Sequence, residues 1–151
     1  MVKRSQIARM IYDVLNDNDT LYNMVDGEIY LGLPEESVQD HLSNSHETCI
    51  SITFGNWTTT GTQGSATSKI KDIIGEVQID VGSLYNNSDL YCHDVTEAIE
   101  DLTFFDVDTS LGDSEAYMFV MKEPGKVFYD NNIKAYHGIL ILSLNYRTIG
   151  T

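Results

Sequence analysis

Gly75-Glu-Val-Gln-Ile-Asp-Val81 alternates without a break: Val77, Ile79 and Val81 point one way, Glu76, Gln78 and Asp80 the other. Period-two alternation of this kind makes a strand with one face on a core and the other toward water. A polar break follows at Gly82-Ser83 and Asn86-Asn87-Ser88, after which Tyr91, Val95, Ala98, Ile99 and Leu102 recur at helical spacing. These five share one helix face, while Asp94, Glu97, Glu100 and Asp101 fall mostly on the other. Ser88 or Asn87 is suited to cap that helix. The unit from Gly75 to Phe105 therefore predicts a one-faced sheet covered by an amphipathic helix, and nothing in it performs chemistry.

Downstream, Ala116–Lys122 reads as a strand, Pro124-Gly125 as a turn, Lys126–Asp130 as a short strand and Asn131-Asn132 as a hairpin turn. Lys134–Thr148 is the longest strand. Tyr136, Leu140, Leu142, Leu144 and Tyr146 alternate there against His137, Ile139, Ile141, Ser143 and Asn145. Both of its faces are apolar around Ile139–Leu142, which places its middle inside a sheet or its second face against a partner.

Upstream, Thr48–Phe54 is a strand with Ile50, Ile52 and Phe54 on the core side. Asn56–Ser68, with Trp57, three successive threonines, Gly61 and Gly64, reads as a long flexible hairpin tip; loops of such length often carry function. Gln6–Leu15 is an amphipathic helix, and Asn16-Asp-Asn-Asp19 ends it and caps a short turn containing Leu21, Met24 and Val25. Asp26-Gly27 is a turn and Glu28–Pro34 a short extended segment, while Glu35–Glu47 reads as an irregular excursion or a weak helical turn. The expectation is one α+β domain over residues 1–151. Its mainly antiparallel sheet has about four to six strands, with two amphipathic helices packed on one face.

At 151 residues the chain can bury one core of roughly two-thirds of its unfolded surface. Its 23 acidic residues against 9 basic ones give a net charge of −14, and from Asp72 to Met121 there is no lysine or arginine at all. Such a surface repels nucleic-acid phosphates and argues against conventional DNA binding. An acidic lining would instead let DNA slide past without sticking. Lys3, Arg4 and Arg9 gather at the N-terminus, without an apolar stretch of the kind a signal peptide needs. No apolar run approaches the ~20 residues of a membrane span, so the sequence predicts a soluble protein made inside the cell and no membrane partner.

Candidate chemistry is thin. Cys49 and Cys92 have no CxxC spacing and read as buried free thiols. His41 and His46 lack a third ligand, and consecutive Cys92, His93 and Asp94 point about 100° apart on a helix, which rules out a relay. Asp106-Val-Asp-Thr-Ser110 opens like a calcium loop, but Leu111 and Tyr117 stand where that loop needs glycine and glutamate. His137 stands alone in the long strand and reads as structural or surface-exposed. The sequence predicts no enzyme, cofactor or metal.

The order of elements carries a resemblance. "GEIYLGLPE" at Gly27–Glu35 follows the first helix; "EVQIDVGSLY" at Glu76–Tyr85 precedes the helix "DVTEAIEDL" at Asp94–Leu102; the chain closes on "KAYHGILILSLNYRT" at Lys134–Thr148. Over residues 6 to 147 this pattern resembles the small tail-completion and tail-terminator proteins of long-tailed bacteriophages, the group that joins tails to heads. It departs from them in the polar Glu35–Glu47 insert, the acidic Asp106–Glu115 loop and the aliphatic middle of the last strand. The resemblance implies a virion protein of the neck, forming a homo-hexameric ring on the tail-tube protein, facing the head-side connector or stopper, with DNA passing through the lumen unbound. Candidate contact residues are Trp57, Thr59, Thr60, Gln63 and Ser65 in the glycine- and threonine-rich loop, Asp106, Asp108, Asp113 and Glu115 in the acidic loop, and Ile139 and Ile141 on the second face of the last strand. Two alternatives stand beside it: a tube or head-completion subunit, and a cytoplasmic domain that binds a small molecule in a closed apolar pocket.

Overall fold

A computed structural model describes residues 4–32, 35–44, 47–64, 69–102 and 114–150. Ten regular elements follow one another in it. They are α1 (Arg4–Asn16), α2 (Asp19–Met24), β1 (Ile29–Leu31), α3 (Glu35–Asn44), β2 (Thr48–Gly64), β3 (Lys69–Ser83), a 3-10 turn (Tyr85–Asn87), α4 (Asp89–Glu100), β4 (Ser114–Asp130) and β5 (Ala135–Gly150). The strands form one five-stranded sheet in the order β1-β2-β3-β5-β4, antiparallel except for the β1–β2 pair. This is the α+β class expected, with β3 and β5 in the interior.

Alternation sorts the sheet into two faces. On the first lie Ile50, Ile52, Val77, Ile79, Val81, Leu140, Leu142, Leu144 and Tyr146. They form a single buried cluster with Ile7, Ile11 and Leu15 of α1, Leu21 of α2, and Cys92, Val95 and Ile99 of α4. Helix α4 is capped by Ser88, whose Oγ accepts from the Leu90 amide, and α2 by Asn18, whose Oδ1 accepts from the Leu21 amide at 2.9 Å. Close approach of α4 needs the bare backbone of Gly138, where an added Cβ would meet Thr96 Oγ1 and Cys92 Sγ.

Helix α3 lies on the opposite face. A parallel β1–β2 pair cannot be joined by a tight turn; it needs a crossover of a dozen or more residues, and the chain between Leu31 and Thr48 supplies it. Val38 and Leu42, four apart, bury against Cys49, Ile133 and Ala135 in a smaller second cluster. They lie over Gly82, where an added Cβ would fall 3.2–3.3 Å from both side chains. The segment read from sequence as irregular or weakly helical is thus a ten-residue helix. Two apolar positions in a polar run are too few to announce a helix, yet enough to dock one.

Two further expectations are corrected. Strand β2 continues to Gly64 and pairs with β3 as far as Lys69, so the flexible tip expected over Asn56–Ser68 shrinks to a link outside the described residues. Thr58 and Thr59, β-branched, pair with Ile74 and Ile73, and bulges at Phe54/Trp57 and Thr59/Gly61 absorb the irregular residues. Pro124-Gly125 likewise does not turn the chain: β4 is one strand with three register breaks. An edge strand tolerates proline, and the Gly125 amide donates to Glu100 Oε1 of α4 at 2.8 Å, which holds the irregular stretch in place.

Candidate assembly surface

Strand β3 is far longer than helix α4. Fifteen residues of β3 span about 50 Å at ~3.3 Å each, whereas the twelve of α4 rise about 18 Å at ~1.5 Å each. Beyond Phe54 and Gly75 the strands run on, with Tyr146 still buried and Ile73 packed against the core cluster. Trp57 seals this boundary: its ring lies over Gly75, its Nε1 donates to Tyr146 Oη at 3.0 Å, and Phe54 meets it edge-on at 5.3 Å. Trp57, expected on a loop, therefore lies in β2 at the rim of the core, partly buried.

The second face is covered only in part by the described residues. Past α3 it carries the buried Ser51, then Thr53, Gln78, Asp80, His137, Ile139 and Ile141, all half-buried, and beyond them Ile74, 42% exposed, and the Asp72–Arg147 ion pair at 2.8 Å. The Arg147 guanidinium holds the Asp72 carboxyl below its ordinary range. Ile139 and Ile141 sit half-buried here, opposite Asp80 and Gln78, so the described residues cover this second apolar stripe only in part.

His137 is the organised polar feature of this face. Its Nε2 lies 2.7 Å from Asp80 Oδ1 and its Nδ1 2.8 Å from Asp130 Oδ2. With a carboxylate on each nitrogen, the ring is satisfied only when both carry protons, as the imidazolium. Burial works against that charge, but the two carboxylates outweigh it and the His137 pKa is raised. Burial likewise opposes the charge on Asp130, and the hydrogen bonds from His137 and the Asn132 amide outweigh it and lower its pKa. Both nitrogens being taken, this histidine offers no basic site for proton abstraction. Its role is mechanical: it pins the β4–β5 turn to β3.

Between α3 and this triad opens a cleft of about 230 Å³, lined by Val38, Cys49, Ile133, Gln78, Asp80 and His137 among others. That is below the ~300–1,000 Å³ of ordinary small-molecule sites. Burial pushes the Cys49 and Cys92 thiols up to about 12, so neither is a nucleophile. Among the described residues no group of three or more His, Cys, Asp or Glu side chains is arranged to hold a metal ion.

The remaining residues singled out from sequence fall as follows. Thr59, Thr60 and Gln63 lie on β2 beyond the bulge at Phe54/Trp57, with Thr59 exposed. Glu115 lies on β4 opposite Arg147 of β5. Ser65, Asp106, Asp108 and Asp113 lie outside the described residues, as does His46. Sequence reasoning missed the His137 triad, since Asp80 faces Ile139 and reaches His137 only diagonally across the ladder. An acid in β3 and a histidine in β5 of matching parity was the one available signal.

No protein-family model matches the sequence, and no curated protein matches it either. The fold, however, is shared with a solved chain from the virion of a native gene transfer agent particle. The two superpose with a TM-score of 0.65 at 13% identity, over 97% of this chain and 99% of that one.

Proposed function

We propose that this chain is a structural subunit of a phage-like virion, of the tail-completion kind: a ring that ends growth of the tail tube and joins the tail to the head-side connector. The observation that carries this reading is the fold shared with a virion chain from end to end, 97% of one and 99% of the other, instead of through a common subdomain. Two features of the molecule agree with it. Strands that outrun α4 and a half-buried Ile139–Ile141 stripe on the second face are surface an assembling subunit can use. A net charge of −14 suits a lumen through which DNA moves without capture. The ring is proposed as a homo-hexamer closed by two different patches meeting head to tail, with the Ile139–Ile141 stripe as one of them. The protein acts as a part of the particle and not as an enzyme.

Electron microscopy of particles produced without this gene tests the proposal. Filled heads beside separate tails of abnormal or variable length are the expected result. Tails of normal length that fail to join would move the subunit to the head side of the neck. Intact infectious particles would overturn the reading.

A further inference from the structure

The two edges of the sheet are built differently. Along the β4 edge, Pro124 and three register breaks interrupt any regular row of hydrogen-bonding groups, the devices by which proteins keep an edge from pairing. The other edge is capped only in part, because β1 pairs with β2 at Ile50, Ser51 and Ile52 and then leaves, with the Gly32 amide donating to the Ile52 carbonyl at 2.8 Å. From Thr53 to Gly64, β2 has no strand on its outer side among the described residues.

That stretch, Thr-Phe-Gly-Asn-Trp-Thr-Thr-Thr-Gly-Thr-Gln-Gly, contains no charge and no proline. Edges left free in a monomer usually carry a lysine or a proline as a guard. Here Phe54, Gly55, Asn56, Thr58 and Thr59 are exposed and none is a guard. We infer that the Thr53–Gly64 edge of β2 is a β-augmentation surface, on which an extended segment of a second copy of this chain adds as a further strand.

The choice of a second copy follows from charge. With 23 acids against 9 bases, two copies repel wherever their ordinary surfaces meet. Twelve consecutive uncharged residues form the stretch along which two such copies can approach with few carboxylates brought together, Glu76 beside Gly55 being the acid that lies against it. The Ile50 amide donates outward to Glu28, so backbone groups at even positions face the outer side as far as Phe54. The bulge before Trp57 shifts the alternation, and Thr59 then presents its amide outward while Thr58 faces β3.

This inference rests on the assembly reading for its neighbour, and the two fail separately: gene removal tests the place in the particle, self-association tests the edge. Thr59→Pro removes one outward donor and leaves the ladder to β3 intact, whereas Thr59→Ala keeps the donor and removes only the side chain. In sedimentation velocity the full-length wild type and Thr59→Ala are expected to form the same oligomer, and Thr59→Pro to sediment as a monomer with an unchanged circular-dichroism spectrum. Should the proline variant not fold, hydrogen exchange of the wild type decides: the Thr59 amide is expected to exchange at least tenfold more slowly at assembling than at dissociating concentration. A wild type that stays monomeric, a proline variant that assembles normally, or a Thr59 amide equally fast in both states would overturn the inference.

Discussion

The two faces of β3 differ more than any two separate elements of the molecule. Val77, Ile79 and Val81 have no measurable exposure and touch both α1 and α4 through one cluster. Gln78 and Asp80, between them on the same backbone, face a cleft, a histidine and open solvent. One face thus carries the main core, and the other carries the smaller α3 cluster and the His137 contacts. A glycine serves each side: Gly138 lets α4 settle on the core, and Gly82 lets α3 settle on the opposite face.

Substitutions on the two faces should separate these roles. Leu140→Ala, fully buried and paired with Ile79, is expected to cost about 2–5 kcal/mol in chemical denaturation, the largest single effect. Gly138→Ala forces a methyl against Thr96 and Cys92 and should cost about 1–3 kcal/mol; a neutral result would mean that α4 can lift from the sheet freely.

On the other face, His137→Gln is expected to cost about 1.5 kcal/mol near pH 6, and to change the shape of the pH profile. The raised His137 pKa gives stability that is whole below the ordinary value of 6.5 and is lost as pH rises through the higher folded value. The lowered Asp130 pKa gives stability present above 3.8 and lost as pH falls through the folded value. Thermal melts of the wild type should therefore plateau between these limits and decline on the alkaline side, and His137→Gln should flatten that decline. The smallest effect on folding belongs to Ile141→Ser, under about 1 kcal/mol, because its side chain is only half-buried. If the stripe is an interface, the same variant will weaken assembly in sedimentation; a loss of stability as large as that of Leu140→Ala would erase the distinction between the faces.

What was legible in the sequence follows the same division. The core face announces itself: alternation in β3, helical spacing in α4 and the Ser88 cap appear in the structure where the pattern put them. These signals are local, carried by residues within a few positions of one another. The second face depends on register. Asp80, Asp130 and His137 meet because β3, β5 and the β4–β5 turn are aligned, which no short window contains. The second half of β2 was read as a loop because glycine and threonine serve both turns and strands, and only pairing with Ile70, Ile73 and Ile74 resolves them. The extended segment expected over Glu28–Pro34 contains β1, but three residues carry no signal of its parallel pairing.

The seam between β3 and β5 also bears on how quickly the molecule reaches this state. The β2–β3 and β4–β5 pairs are hairpins, closed by short links, while β3 and β5 join residues as distant as Lys69 and Gly150. Loop-closure entropy is paid in full before such distant contacts return anything, so the docking of two preformed hairpins is the expected slow step. In stopped-flow refolding, Leu142→Ala at the seam, opposite Val77, should slow folding; if it only accelerates unfolding, the seam closes after the barrier and this kinetic picture is wrong. Until the seam closes, each hairpin carries an open edge, and a strand of any other unfolded chain can pair there first.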